Sequence, residues 1–332
     1  MTGAERIGVS ARGAAAQSVC SACGSAKFRV RFTSTDRLYG TTNTRFEIVE
    51  CLQCGLTRLS PRPSVEELGR YYPSNYWFDP GESTAGRLEE IYRRLVLRDH
   101  VGFVKDALRR TQAKGPLLDV GCGGGLFPGM LRQRGFRALG LDLSAEAAAL
   151  ALRNHGVPAV AGELGAAPIA PESCAAITMF HVLEHVPQPQ AYLAAANRLL
   201  KPDGRLIVQV PNAACWQFAL LGPAWNGVDA PRHLHLFRDT DLQRMLETSG
   251  FEVLRRKYFS LRDNPAGLAT SLAPWLDPMA RRVRRVRESG GARLLKDLVY
   301  FSLLVAALPL TIAEAAFRAG STVMFEARKR ER

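Results

Sequence analysis

The sequence predicts an α/β fold: an open, largely parallel sheet with helices between its strands, carrying a small ribbon domain at its amino end. Three observations predict it. A short apolar run ends in an acid and a cluster of glycines (Asp119, then Gly121, Gly123, Gly124 and Gly125), strand-like and helix-like patterns alternate from there to residue 258, and two C-x2-C turns stand upstream. The chain has 332 residues, 47% of them hydrophobic, which is room for one large core and a small extra domain.

Leu117, Leu118 and Val120 form the kind of run that is buried on both faces of a sheet. A helical pattern from Leu126 to Arg134 follows the glycines. Strand, glycine loop and helix make a nucleotide-binding crevice, because glycine lets the backbone approach a ligand closely. The dinucleotide pattern G-x-G-x-x-G fails here: counted from Gly121 the third position is Leu126, and counted from Gly123 it is Pro128. An acid followed by glycines at 121, 123 and 125 instead resembles the first motif of class I S-adenosylmethionine (SAM)-dependent methyltransferases, whose ligand has no pyrophosphate.

The next strand, Ala138 to Leu143, carries Asp142 at its carboxyl end, where ligands of open α/β sheets bind. A carboxylate there can accept both hydroxyls of a ribose. Ser144 is placed to cap the helix Ala145 to Asn154. A third strand, Val157 to Val160, leads to Glu163, which by position matches the family's acid near the adenine. Ala175 to Phe180 reads as the fourth strand, with Cys174 and Ala175 where the family usually has Phe-Asp. Phe180 completes the expected cofactor set of Asp119, Gly121, Gly123, Gly125, Asp142 and Glu163.

His181, Glu184 and His185 follow. Their H-x-x-E-H spacing also occurs in inverted zinc proteases, but that use needs a helix, and here a strand ends and Pro187 intervenes. The segment resembles the motif after the fourth strand of many methyltransferases; quinone-pathway O-methyltransferases have an acid where His181 stands. After the fifth strand, Arg205 to Val210, comes Pro231, Arg232, His233, Leu234, His235, Leu236 and Phe237. This stretch is similar to a segment of zinc-ribbon methyltransferases of polysaccharide and natural-product biosynthesis. Methyl transfer to a hydroxyl, amine or carbon acid can need a base, and His181 and His233 are the candidates, with His235 behind them. Asp239 or Thr240 should cap the next helix, and Phe251 to Tyr258 should be the sixth strand. Ser321 to Arg328 should insert antiparallel beside it as the seventh.

Upstream, Cys20 with Cys23 and Cys51 with Cys54 form two C-x2-C knuckles, each followed by glycine. Four thiolates so spaced are a zinc set, and with every position filled by protein the metal would be structural. Cys122, Cys174 and Cys215 read as packing residues. Ser64 and Glu67 read as a capping box. Tyr71, Tyr72, Tyr76, Trp77 and Phe78 either pack or wall the substrate side of a cleft. A helical pattern runs from Leu88 to Arg110. The implied organisation is a disordered leader (1–18), a zinc ribbon (19–60), linker helices and an aromatic loop (61–112), a SAM-binding core (113–260), an insert (261–319) and a final strand and tail (320–332). The full class is thus a Rossmann-like, seven-stranded methyltransferase sheet with its last strand antiparallel, a small N-terminal zinc ribbon, and a helical insert before that strand.

The insert joins a basic cluster, Arg281 to Arg287, to sixteen residues without charge, 298–313. Pro309 should break a helix there, giving a hairpin that lies on a membrane face, forms a dimer interface or closes as a lid. The formal charge of +13 and pI near 9.8 favour acidic partners without choosing among them. No secretory signal is apparent in Met1 to Ser18, so the expected location is the cytoplasm, with peripheral membrane contact through 281–313 left open. The expected acceptor is a small molecule, a nucleotide sugar or a lipid-linked glycan. An RNA acceptor is the first alternative, against which stand the missing base-methylation motifs and arginines gathered in the insert rather than the ribbon. A non-catalytic SAM-fold binding module is the second. The oligomeric state is open.

Overall fold

The computed structural model describes residues 19–73 and 84–330. The core is a seven-stranded sheet built from β4 (Leu117–Val120), β5 (Ala138–Asp142), β6 (Ala159–Ala161), β7 (Cys174–Phe180), β8 (Leu200–Pro211), β10 (Phe251–Lys257) and β11 (Thr322–Lys329). Their order is β10-β11-β8-β7-β4-β5-β6. β11 runs antiparallel to both β8 and β10, so the last strand enters where the sequence places it. β8 begins at Leu200 rather than Arg205: its pairing jumps from Cys174↔Leu200 to Ala176↔Arg205, and residues 201–204 bulge out between them. The third strand is shorter and later than its sequence pattern suggests.

The period-two alternation of the strands divides the core into two layers. Leu118, Val120, Ile177, Met179 and Val208 pack against α6 (Pro189–Leu199) and α8 (Asp239–Thr248). Leu117, Ala176, Ile207 and Met324 pack on the opposite face against α3 (Arg98–Arg110) and α4 (Leu126–Arg132). The single helical pattern from Leu88 to Arg110 is two helices, α2 (Thr84–Val96) and α3, separated at Leu97. α1 (Val65–Arg70) starts at the Ser64–Glu67 capping box. α5 (Ala145–His155) starts at Ser144, whose hydroxyl accepts from Ala147 N. α8 is capped by neither Asp239 nor Thr240. Its N-cap is Arg238, whose N–H donates to Asp241 Oδ2 at 3.1 Å. Of the aromatic loop, Tyr76, Trp77 and Phe78 lie outside the described residues.

The ribbon consists of β1 (Phe28–Ser34), β2 (Phe46–Cys51) and β3 (Thr57–Ser60), joined by β9 (His235–Leu236) from the core. The Pro231–Phe237 segment therefore supplies the ribbon's fourth strand, pairing Arg58 with His235 and Thr57 with Leu236. Apolar side chains seal the joint: Phe46, Ile48 and Leu59 pack with Trp225, Val228, Leu234 and Leu236. At its centre lies Arg232, fully buried. Its guanidinium donates to Asp36 of the ribbon (2.7 and 3.1 Å) and to Asp229 (2.6 and 3.0 Å), and it stacks over Tyr39. Burial would raise the pKa of Asp36, but Arg232 outweighs it and holds the carboxyl down at about 2.

The insert is three helices: α9 (Asp263–Leu272), α10 (Pro278–Val283) and α11 (Gly290–Ala316). The expected break at Pro309 does not occur; α11 runs through it for 27 residues. Pro309 and Val305 are on the exposed side, so the Val305 carbonyl that loses its i+4 donor is open to solvent, while residues before and after are pinned by packing. α11 is the one helix among the described residues long and apolar enough to cross a membrane.

Removing one member of a buried ion cluster leaves the others uncompensated. Arg232→Ala should therefore lower the unfolding free energy by about 3–5 kcal/mol in urea titration, and a loss under about 1 kcal/mol would contradict the clamp.

Candidate active site

The crevice opens at the carboxyl ends of β4, β5 and β7. Gly121 has φ +71°, and a Cβ there would lie 2.7 Å from Val182 Cγ2. Gly125 has φ +79°, and its Cβ would meet Ala151 Cβ at 2.6 Å. Both positions thus demand glycine for conformation and for space, and the first seats the glycine loop directly against the segment after β7. Asp142 ties that loop to the next helix: Oδ2 accepts from Gly123 N and Oδ1 from Ser144 N, each at 2.9 Å. Each oxygen keeps a lone pair for a ligand hydroxyl.

Asp119 and Asp142 are both buried, and both pKa values are raised, first by desolvation; that of Asp119 reaches about 7 with Asp142 adding to the rise. Thr178 donates to Asp119 at 2.6 Å. Two half-relieved acids beside a glycine loop repel a pyrophosphate and suit a cationic ligand. Such an environment fits a sulfonium and an amino group.

Three histidines gather at the end of β7. His181 has φ +56°. Its Nδ1 lies 2.9 Å from Glu184 Oε1, and its Nε2 lies 2.9 Å from the Gln209 amide and 3.5 Å from Asp263 Oδ1. Burial alone would lower its pKa, but the charges and hydrogen bonds of Asp263 and Glu184 win and raise it to about 9. Those two acids favour the protonated ring, while Gln209 Nε2, which donates to Asp263 Oδ2 at 2.6 Å, faces His181 Nε2 as a second donor. His185 and His233 pack edge to face, centroids 4.6 Å apart. His185 Nδ1 faces the Arg232 carbonyl at 3.1 Å and Tyr72 Oη at 2.9 Å, and His233 Nδ1 faces the Gly227 carbonyl at 2.8 Å. A carbonyl only accepts, so His233 Nδ1 carries the proton and its Nε2 the lone pair; His185 Nδ1 sits between a carbonyl and a hydroxyl, which serves either tautomer. Burial, then His233, lowers the pKa of His185 to about 4. Glu184 is fully buried, and its Oε2 has no partner. One donor atom each from Glu184, His185 and His233 lie within 4.8 Å of one another, a spacing that also admits a divalent cation.

In the ribbon, the four sulfurs of Cys20, Cys23, Cys51 and Cys54 also lie within 4.8 Å of one another, with Cys20–Cys54 at 3.6 Å and Cys23–Cys51 at 3.5 Å. Sulfurs at the corners of a zinc tetrahedron are about 3.8 Å apart, so the set fits that ion.

A family model described as "Methyltransferase domain" matches residues 66–256, more than half of the chain. The chain belongs to the methyltransferase domain family. It is similar to the ubiquinone biosynthesis O-methyltransferase of Cronobacter sakazakii, 28% identical over 228 residues that cover 64% of this chain and 89% of that protein. To the protein of that name in Pseudomonas fluorescens it is 30% identical over 173 residues, covering 48% and 74%. Among solved structures, a SAM-dependent methyltransferase, possible histamine N-methyltransferase, of Thermotoga maritima aligns with TM-score 0.44 at 19% identity, covering 74% of this chain and 97% of that one. Geranyl diphosphate C-methyltransferase of Streptomyces coelicolor aligns with TM-score 0.47 at 16% identity, covering 70% and 77%.

In this SAM-dependent methyltransferase, the candidate cofactor residues Asp119, Gly121, Gly123, Gly125 and Asp142 surround one crevice. Glu163 is exposed just after β6. Phe180 packs edge to face with Phe127 (4.9 Å) and His100 (5.1 Å), so its ring helps hold α3 and α4 on the sheet. Two histidine roles need correction. His235 is buried under the ribbon, stacked on Phe237, with Nε2 2.8 Å from Ser21 Oγ; burial pushes its pKa down to about 3. It joins two domains and does not line the crevice. His181 has both ring nitrogens engaged, by Glu184 on one side and by Gln209 and Asp263 on the other, and is a poor base. Sequence patterns missed Asp263 and Gln209, which arrive from the insert and from β8 to hold His181, and Arg232, whose partner is nearly two hundred residues away.

His181 has a folded pKa of about 9 against an ordinary 6.5. Its contribution to stability is thus complete below pH 6.5 and lost as pH rises through about 9. Urea titrations across that window should show a loss on the order of 2 kcal/mol that His181→Gln lacks; equal slopes in the two proteins would contradict the ion pairs.

Proposed function

We propose that the enzyme methylates a hydroxyl oxygen of a small-molecule acceptor, with His185 and His233 as the basic pair, and that zinc in the ribbon is structural. The observation that carries this is the edge-to-face pair of imidazoles next to the buried Glu184. His233 Nδ1 donates to the Gly227 carbonyl and leaves its Nε2 lone pair free, and one donor atom from each histidine lies within 4.8 Å of a Glu184 oxygen. SAM supplies an electrophilic methyl group in line with the sulfur. The chain's own residues do the rest: the β7 loop orients the acceptor hydroxyl, and its proton passes to an Nε2 as the oxygen–methyl bond forms and the sulfur–methyl bond breaks. Glu184 then faces the new imidazolium, as an acid behind a catalytic histidine does. The similarity to enzymes named O-methyltransferases supports oxygen as the methylated atom. With four protein thiolates, the ribbon metal has no open position for chemistry.

The test is methyl transfer from labelled SAM to panels of catechols, nucleotide sugars and lipid-linked glycans, with the product analysed for its methylated atom. A methyl ether is expected; an N-methyl or C-methyl product would overturn the proposal. On the accepted substrate, His185→Asn and His233→Asn should each lower kcat by about 10²-fold or more while leaving the SAM Kd within about twofold. Unchanged turnover in both would reject the pair.

A further inference from the structure

The α11 helix is built for two different surroundings. One stripe of it, Tyr300, Leu304, Ala307, Thr311 and Glu314, is buried. Tyr300 and Leu304 pack with Ala269 of α9 and with Ala273 just after it. Polar anchors fix the stripe in place: Tyr300 Oη is 2.9 Å from Thr270 Oγ1 and donates to Asp277, and Glu314 accepts from Gln217 N (3.0 Å) and Nε2 (2.7 Å). Beyond the charged first turns (Arg293, Lys296 and Asp297), the rest of the circumference is largely apolar and open: Leu298, Phe301, Val305 and Ile312, with Leu294 before them and Phe317 just past the helix end, are each at least half exposed. α7 (Trp216–Leu221) prolongs this surface, with the Trp216 ring 5.4 Å from that of Phe317 and Leu220 78% exposed. A helix of 27 residues is about 40 Å long, so this is far more than a scattered surface leucine.

The charge at its margins is one-sided. Between residues 281 and 318 there are eight Lys or Arg and three Asp or Glu. The three acids are engaged: Glu288 with Arg281 and Lys296, Asp297 with Arg281, and Glu314 with Gln217. Arg285, Arg287 and Arg318 are exposed, with no acid in ion-pair range among the described residues.

We propose that this face seats on an anionic lipid bilayer, with α11 lying in the interface rather than crossing it. An apolar helix face flanked by cations matches acyl chains below anionic headgroups. Crossing would pull Tyr300 and Glu314 from their partners, leaving a buried carboxylate uncompensated. A second copy of this chain would cover the apolar face but bring the same arginines and no free acid to meet them. This surface is separate from the methyl-transfer reading and stands or falls on its own.

Flotation of the full chain with phosphatidylcholine vesicles containing about one-third phosphatidylglycerol should carry the protein to the top, and partition onto pure phosphatidylcholine should be about tenfold weaker or less. The double variant Phe301→Ser/Val305→Ser changes exposed positions only and should lower partition by about tenfold or more. Arg285→Glu/Arg287→Glu should remove the preference for anionic vesicles. SAM affinity, read in parallel by calorimetry, should be unchanged in both, which separates failure here from failure at the active site. Absence of flotation, or flotation undiminished in both variants, would overturn the proposal. So would light scattering that shows a dimer lost in the serine variant with no vesicle binding by the wild type, since a second copy would then own the surface.

Discussion

One buried cation joins the two parts of this protein. Arg232 sits between Asp36 of the ribbon and Asp229 of the core, with no exposed atom on its side chain. Such a cluster is costly to desolvate and severe to break, so it acts as a register pin more than as a source of net stability. Its consequences reach the active site through the backbone. The Arg232 carbonyl faces His185 Nδ1 at 3.1 Å, and the next residue is His233. Leu234 N and His235 N both donate to the Glu184 carbonyl, while Leu234 O accepts from Leu59 N of the ribbon. The segment that carries the clamp therefore also splices the H-x-x-E-H loop to the ribbon.

The crevice itself follows from more local physics. Strands that end together at one edge of a parallel sheet deliver Asp119, Asp142 and His181 to the same place, and the glycine loop lets them come close. The charge sorts into two zones. Around the glycine loop, buried carboxylates with raised pKa values create a site for a cationic ligand. A few residues on, His181 stands between Glu184 and Asp263, and the attraction raises the pKa of the ring and lowers those of both acids, while burial lowers that of His185.

Local signals were the readable ones. Asp119 and its glycines, the two C-x2-C turns and the Ser64 capping box each depend on residues a few positions apart, and each stands as its spacing predicts. The antiparallel place of the last strand beside the sixth came from the family resemblance, and the sheet has it there. What the pattern could not show was where distant residues meet. His181 looked like a base because histidine titrates near neutrality, but its ionisation is set by Asp263, eighty residues on and inside a segment that a minimal sheet does not need. His235 looked like a neighbour of His233, yet it begins β9, pairs with Arg58 of the ribbon and sets its ring against Ser21. Pro309 looked like a helix end because local propensity says so; packing of Tyr300, Leu304, Thr311 and Glu314 on either side overrides it.

The most direct measurement is hydrogen–deuterium exchange on the full chain loaded with zinc, before and after a chelator is added. If ribbon and active-site loops are one spliced unit, peptides 181–186 and 229–236 lose protection together with 19–60, while 117–125 and 138–144 keep theirs. Exchange that rises in the ribbon alone would contradict that coupling.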